Sequence, residues 1–167
     1  PVHLPTPRGV RRIDVHSAQQ MCDAVLPLAP LHGVFVATAA VADWRPANVA
    51  GQKIKKDGSG LPPPLVLIEN PDILATIAQS ARAKSGALYC VGFAAESQNL
   101  LANAQAKRIR KGVPLLVGNI GPATFGQDDN ALLLVDSQGA TEIPRAPKVE
   151  LARLLIAAIA ENIRAAA

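Results

Sequence analysis

The segment Lys107-Arg108-Ile109-Arg110-Lys111 sets four cations in five residues. Lys107 and Lys111 are four apart, so a helix carries both on one face. Two ammonium groups so placed suit a polyphosphate. The ordinary alternative is cationic complementation of the negative end of a helix. A second cationic run, Lys53-Ile54-Lys55-Lys56, precedes Asp57-Gly58-Ser59-Gly60. A solvated loop is the plain reading there; a cationic lid that closes over phosphate and excludes water is the functional one. Asn70-Pro71-Asp72-Ile73 has the composition of a helix start, with Asn70 as cap, Pro71 at the first helical position and Asp72 at the positive end. Its backbone N–H groups would take an anion, or would simply be capped. Asp43 follows the small-residue run Thr38-Ala39-Ala40-Val41-Ala42. It is a candidate for a ribose hydroxyl or a cation, or a plain turn residue.

Other chemistry is missing from the sequence. His3, His16 and His32 lack metal-ligand spacing and read as surface or loop residues. Cys22 and Cys90 form no CxxC, and Cys90 lies in the apolar run from Leu88 to Val91, where a buried structural thiol is expected. Two lone cysteines fit a cytoplasmic protein without a disulfide framework. No nucleophile elbow, Walker loop or dinucleotide fingerprint is present.

These candidates need elements to hold them. Pro1 to Pro7 reads as an extended loop and Arg12 to Val15 as a short strand. Ser17 caps a helix to about Leu26. Val34 to Thr38 is a buried strand, and the stretch from Val41 to Pro64 is irregular. Leu65 to Glu69 is a strand, followed from Asn70 by a helix with Ile73, Leu74, Ile77 and Ala81 on one face. Ala87 to Phe93 is a strand, and Ser97 to about Lys111 a helix ended by Gly112 and Pro114. Leu115 to Val117 and Ala131 to Val135 are strands. A terminal helix runs from Pro147 to Ala166. Apolar strands alternating with helices predict an α/β, Rossmann-like three-layer sandwich with a mostly parallel sheet. In such a sheet ligands bind beyond the carboxyl ends of strands, here the segments 37–45, 69–74, 92–96 and 118–130.

Composition narrows the function classes. The chain has 167 residues, 49% hydrophobic and 18% charged, which excludes a disordered or solvating segment. Aromatics are 3% (Trp44, Tyr89, Phe35, Phe93 and Phe125), too few for a single-strand nucleic-acid stacking platform. The net charge of +4 is compatible with an anionic ligand but selects none. No apolar stretch is long enough to span a bilayer, and the start does not read as a signal peptide. A chain beginning at Pro1 rather than Met reads as a piece of something longer.

Six segments in order then carry a resemblance: AAVADWR (39–45), QKIKK (52–56), NPDIL (70–74), GFAAES (92–97), KRIRK (107–111) and DDNAL (128–132). The set resembles phosphopantothenoylcysteine synthetase, and LPTP (4–7) also fits that family. The resemblance covers essentially the whole chain and implies the C-terminal portion of a single CTP-binding ligase domain over 1–167. Bacterial members activate 4′-phosphopantothenate with CTP and Mg²⁺ as an acyl-cytidylate. The amine of cysteine then displaces CMP. The family acts as a homodimer, with the lysine lid and nearby strands at the subunit boundary. It is often fused behind a decarboxylase, the part that would use FMN.

By position, the resemblance implies that Ala37, Thr38, Ala39 and Phe93 line the cytosine pocket. It implies that Asp43 holds ribose or the metal ion. Pro71, Asp72, Ile73 and Leu74 would present a helix start to the nucleotide, and Lys107 and Lys111 would hold the triphosphate. Lys53 would be the catalytic lid lysine. Two departures stand beside this. The glycine-rich, asparagine-containing segment that normally precedes LPTP is not in the chain, so a nucleotide-binding and dimerisation fragment without activity of its own is the alternative. Asn119-Ile120 stands where the family commonly has Asn-Asp, followed by a somewhat shorter loop through Gly121, Pro122 and Phe125, so no role is carried to Asn119.

Overall fold

Apolar runs too short to be helices become the centre of a sheet. In the computed structural model, which describes residues 4–56, 58, 60–96, 98–120 and 126–166, strands β1 (Val34–Ala37), β4 (Tyr89–Glu96), β5 (Leu115–Ile120), β6 (Asp129–Val135) and β7 (Ala140–Pro147) form one sheet in the order β1-β4-β5-β6-β7. The β1–β4 and β4–β5 pairs are parallel, and the β5–β6 and β6–β7 pairs antiparallel. Only β6 therefore runs against the other strands of this sheet, and the class is α/β as the alternation implied.

Alternation along the strands divides the core into two faces. Val91, Leu115, Val117, Leu132 and Leu134 pack with Leu151, Leu155 and Ile159 of helix α5 (Lys148–Ala166). On the opposite face the strands carry Gly92 and Gly118. A Cβ at Gly92 would meet Leu74 Cδ2 at 2.7 Å, and one at Gly118 would meet Leu100 Cδ1 at 2.9 Å. Those leucines belong to helices α2 (Ile73–Ala78) and α4 (Leu100–Lys111), which come close because the sheet offers no side chain beneath them. This gives helix, sheet and helix layers. Val91, Leu116, Val117 and Val135 are 0% exposed, and each such aliphatic side chain contributes roughly 1.5–3 kcal/mol.

Several elements differ from the sequence expectation. Arg12–Val15 forms no strand; Arg12 instead pairs with Asp14 at 2.6 Å and donates to the Leu4 carbonyl. The helix expected through Ala81 breaks before Ser80, whose hydroxyl accepts the Ala83 N–H and starts a separate helix α3 (Ala81–Lys84). Helix α1 (Ala18–Val25) begins as predicted, with the Gln20 N–H donating to Ser17 Oγ at 3.1 Å. Helix α4 ends as predicted at Gly112, whose φ of 68° is a left-handed cap and whose N–H meets the Arg108 and Ile109 carbonyls. Its expected first residue, Ser97, lies outside the described residues, as do His3, Asp57, Ser59 and the segment 121–125 with Phe125. Within the stretch expected to be irregular, Trp44–Pro46 forms β2, which pairs antiparallel with β3 (Leu67–Glu69) in a separate two-stranded ribbon. Strand β7 forms where the sequence carries no strand signal.

The described residues within Pro1–Val25 and Ala40–Asp72 make one compact unit; those within Leu26–Ala39 and Ile73–Ala167 make the other.

Candidate functional site

The first unit carries Asp43, Lys53, Pro71 and Asp72 on a framework of hydrogen bonds. Strands β2 and β3 pair through Trp44 with Glu69, Arg45 with Ile68 and Pro46 with Leu67. The Ala47 N–H donates to the Val66 carbonyl at 2.8 Å, which closes the excursion 47–66 at its base. Lys53, Lys55 and Lys56 are exposed on that excursion, which has no regular structure around them. Asp43 stands directly before β2 with its side chain exposed. Its carbonyl accepts the Asn70 N–H at 2.8 Å. Pro71 is half-buried and Asp72 exposed.

Asn70 departs from the role read for it. Its carboxamide Nδ2 donates to the Ala42 carbonyl at 2.8 Å, and its Oδ1 accepts Arg45 Nη1 at 3.0 Å. The same Arg45 nitrogen donates to the Glu69 carbonyl at 2.6 Å. These bonds run across the ribbon rather than to the helix that follows. The residues of a helix cap are present, but a longer-range partner set engages the side chain.

The second unit carries Ala37, Thr38, Ala39, Ile73, Leu74, Phe93, Lys107 and Lys111. Ala37 ends β1 and lies in register with Gly92 of β4. Leu74 closes over Gly92 from the helix side, so Ala37, Gly92 and Leu74 come together. Thr38 and Ala39 leave the strand end exposed, and Ile73 is buried at 7% exposure. Phe93 points to the other face, where it packs half-buried against the α5 cluster. Leu74 and Phe93 are thus on opposite sides of β4. Lys107 and Lys111 are half-buried on the last two turns of α4. Between them Arg108 donates to the Val113 carbonyl at 3.4 Å, which accounts for one cation of the run as a helix-end contact.

The remaining singled-out residues have structural accounts. His16 and His32 are exposed, with the His32 ring on the Leu28 carbonyl at 2.8 Å. Cys22 and Cys90 are free and buried. Burial pushes the Cys90 thiol up to about 11. Burial also raises the Tyr89 hydroxyl; Asn162, donating to it at 3.0 Å, opposes the shift, and the charge of Asp136 adds to it. In the DDNAL segment Asp129 takes two bonds from Arg145, at 2.8 and 2.6 Å, which hold its carboxyl below the usual carboxylate range. Asn130, 9% exposed, accepts the Ala131 N–H at 2.8 Å where β6 slips its register. Among the described residues no group of three or more His, Cys, Asp or Glu could hold a metal ion. No helix among them is long and apolar enough to cross a membrane.

Two features escaped sequence reasoning: the close approach of Leu74 to Gly92, and the joint role of Arg45 and Asn70. A glycine inside an apolar strand signals the first. The second joins residues 25 apart and has no local signal.

Comparison with known proteins places the chain. Residues 1–163 match the family described as DNA/pantothenate metabolism flavoprotein C-terminal domain. The chain is 40% identical over 166 residues to the coenzyme A biosynthesis bifunctional protein CoaBC of Vibrio cholerae serotype O1, covering 98% of this chain and 41% of that protein. It is 41% identical over 160 residues to CoaBC of Escherichia coli K12, covering 93% of this chain and 39% of the other. The chain thus spans about two fifths of the length of the curated relatives it matches. The crystal structure of the C-terminal domain of CoaBC superposes with a TM-score of 0.77 at 28% identity, over 98% of this chain and 71% of that one. A complex of the Cab2 mutant H337A with phosphopantothenate-cysteine shares the fold, with a TM-score of 0.64 at 18% identity over 89% of this chain and 52% of that one. By sequence over nearly all its length, and by fold, the chain belongs to the DNA/pantothenate metabolism flavoprotein C-terminal domain family.

Proposed function

We propose that the chain is the nucleotide-binding portion of a CTP-dependent phosphopantothenate–cysteine ligase of coenzyme A biosynthesis. The observation that carries the reading is the near-full-length identity to CoaBC proteins.

In this reading the phosphopantothenate carboxylate attacks the α-phosphorus of CTP. Pyrophosphate leaves with the electrons of the broken P–O bond, and an acyl-cytidylate forms. The cysteine amine then attacks the acyl carbon, loses a proton, and CMP departs. Such steps need positioning and stabilisation of developing charge more than covalent catalysis. Lys53, on the excursion closed by the ribbon, neutralises charge at the α-phosphate. Lys107 and Lys111 hold the triphosphate. Ala37, Thr38 and Ala39 line the base pocket at the end of β1, Phe93 borders it from the α5 face of β4, and residues 71–74 face the nucleotide. Asp43 offers one carboxylate, which fits Mg²⁺ only where phosphates complete the ion's shell; it serves ribose equally well. When bound, Mg²⁺ supplies charge neutralisation to the phosphates.

The apolar side chains that the ribbon exposes, Trp44 at 54% and Leu67 at 47%, support a homodimer formed through that ribbon. A fused decarboxylase would hold FMN outside this chain. The compartment is the cytoplasm.

The test is ligation, read as CMP release from phosphopantothenate, cysteine, CTP and Mg²⁺. The chain is assayed alone and joined to the preceding part of a relative's ligase domain. Turnover in the joined form is expected, with Lys53→Ala lowering kcat more than CTP affinity. Lys107→Ala is expected to weaken CTP by about 1.5–3 kcal/mol. A joined form that binds CTP without turnover supports the binding-module alternative.

A further inference from the structure

We propose that Asn70 and Arg45 act as a clamp that fixes the backbone around Asp43, and are positioning residues for nucleotide binding. The inference rests on the reading of Asp43 as a nucleotide ligand.

The geometry is specific. Asn70 alone grips two consecutive carbonyls, with its side-chain Nδ2 on Ala42 at 2.8 Å and its backbone N–H on Asp43 at 2.8 Å. Its Oδ1 takes Arg45 Nη1 at 3.0 Å, and that nitrogen continues to the Glu69 carbonyl at 2.6 Å. The peptide units before and after the Asp43 side chain are thereby tied to one half-buried residue, while the carboxylate itself is left exposed. A short carboxamide that both donates and accepts is required. Aspartate would set an oxygen against the Ala42 carbonyl, and alanine would release both side-chain bonds. Glu69 pairs with Trp44 in the ribbon, so the clamp also locks the strand that Asp43 leads into. A single carboxylate on a connecting segment is useful to a ligand only if its backbone is held within a fraction of an ångström. Little apolar burial holds it there: the strand opposite, Leu67–Glu69, is exposed along its whole length. Hydrogen bonds must supply the rigidity.

A merely structural staple and a positioning clamp differ in how they couple to Asp43. The experiment is a double-mutant cycle on CTP binding with Mg²⁺, by calorimetry, in the unaltered chain, Asn70→Ala, Asp43→Asn and the double variant. Asn70→Ala is expected to weaken CTP about threefold to tenfold, and to have no effect once Asp43 is asparagine. Equal losses in both backgrounds overturn the clamp and leave the nucleotide reading standing. An Asp43→Asn variant that binds CTP like the unaltered chain, or an unaltered chain that binds none, overturns the reading of Asp43 and the clamp with it. If Asn70→Ala does not fold, Asn70→Asp and Arg45→Ala replace it in the same cycle. The first breaks the Ala42 arm and the second removes the nitrogen that joins Asn70 Oδ1 to the Glu69 carbonyl, and each is expected to couple to Asp43 in the same direction.

Discussion

The five-stranded sheet and the two-stranded ribbon are built on different physics. In the sheet, strand residues such as Leu115, Leu116 and Val117 are sealed on both faces, at 1%, 0% and 0% exposure. In the ribbon, Leu67 and Ile68 keep 47% and 39% of their surface. What orders the ribbon is a ladder of three residue pairs and the polar bonds of Arg45 and Asn70. The core of the sheet is insulated, and the Cys90 thiol within it is pushed away from reactivity. The ribbon holds Asp43 and carries the lysine excursion, where the proposed chemistry needs exposed groups. The contrast teaches that stability and function are separated here by what each region does with its apolar side chains.

The largest expected difference comes from truncating matched leucines. Leu116→Ala in the sheet should cost about 2–5 kcal/mol, because it opens a cavity between sheet and helices. Leu67→Ala in the ribbon should stay within about 0.5 kcal/mol in a dilute monomer. Urea unfolding followed by circular dichroism measures both. A large, concentration-dependent loss for Leu67→Ala would show instead that a second copy covers the ribbon.

A smaller effect is expected from filling the close approach at Gly92. Gly92→Val must displace Leu74 and the sealed Leu116, whose side-chain tips stand 2.7 and 2.9 Å from an added Cβ. A cost of about 1–3 kcal/mol follows. A variant as stable as the parent would mean that α2 lifts off the sheet without penalty.

The smallest effect is a pH dependence confined to the sheet. Cys90 keeps its proton in the folded chain up to about 11, above its ordinary value. The unfolded chain therefore releases that proton first. This contribution to stability is fully present below the ordinary thiol range and is lost as pH rises toward about 11. Cys90→Ser or Cys90→Ala should flatten that part of the stability profile, and Cys90 in the parent should resist alkylation near neutrality. Ready alkylation of Cys90 in the folded chain contradicts the burial argument.

Legibility in the sequence followed the same division. The sheet was readable where its strands are saturated with apolar residues, as in Leu115–Val117 and the Cys90–Gly92 stretch of β4, because burial on both faces leaves a continuous run. Strand β7 was not, since Pro144 and Pro147, with Thr141, Glu142 and Arg145, look like loop; an edge strand needs neither apolar alternation nor every N–H. Strand β2 is three residues ending in proline, and it exists only through a partner that follows residues 47–66. Arg12–Val15 had the composition of a strand but has no strand beside it among the described residues. The candidate site was legible as motifs: the lysines of α4 share a face as spacing required. Neither the turning of Phe93 toward α5 nor the engagement of Asn70 by Arg45 could be read from spacing, because both depend on neighbours distant in sequence.

The proposed function requires a nucleotide site selective for CTP. Calorimetric titration of the chain with CTP and, in parallel, ATP, both with Mg²⁺, is the decisive measurement. Saturable binding of CTP well ahead of ATP is expected. Binding of neither nucleotide, or of ATP ahead of CTP, would contradict the proposed function.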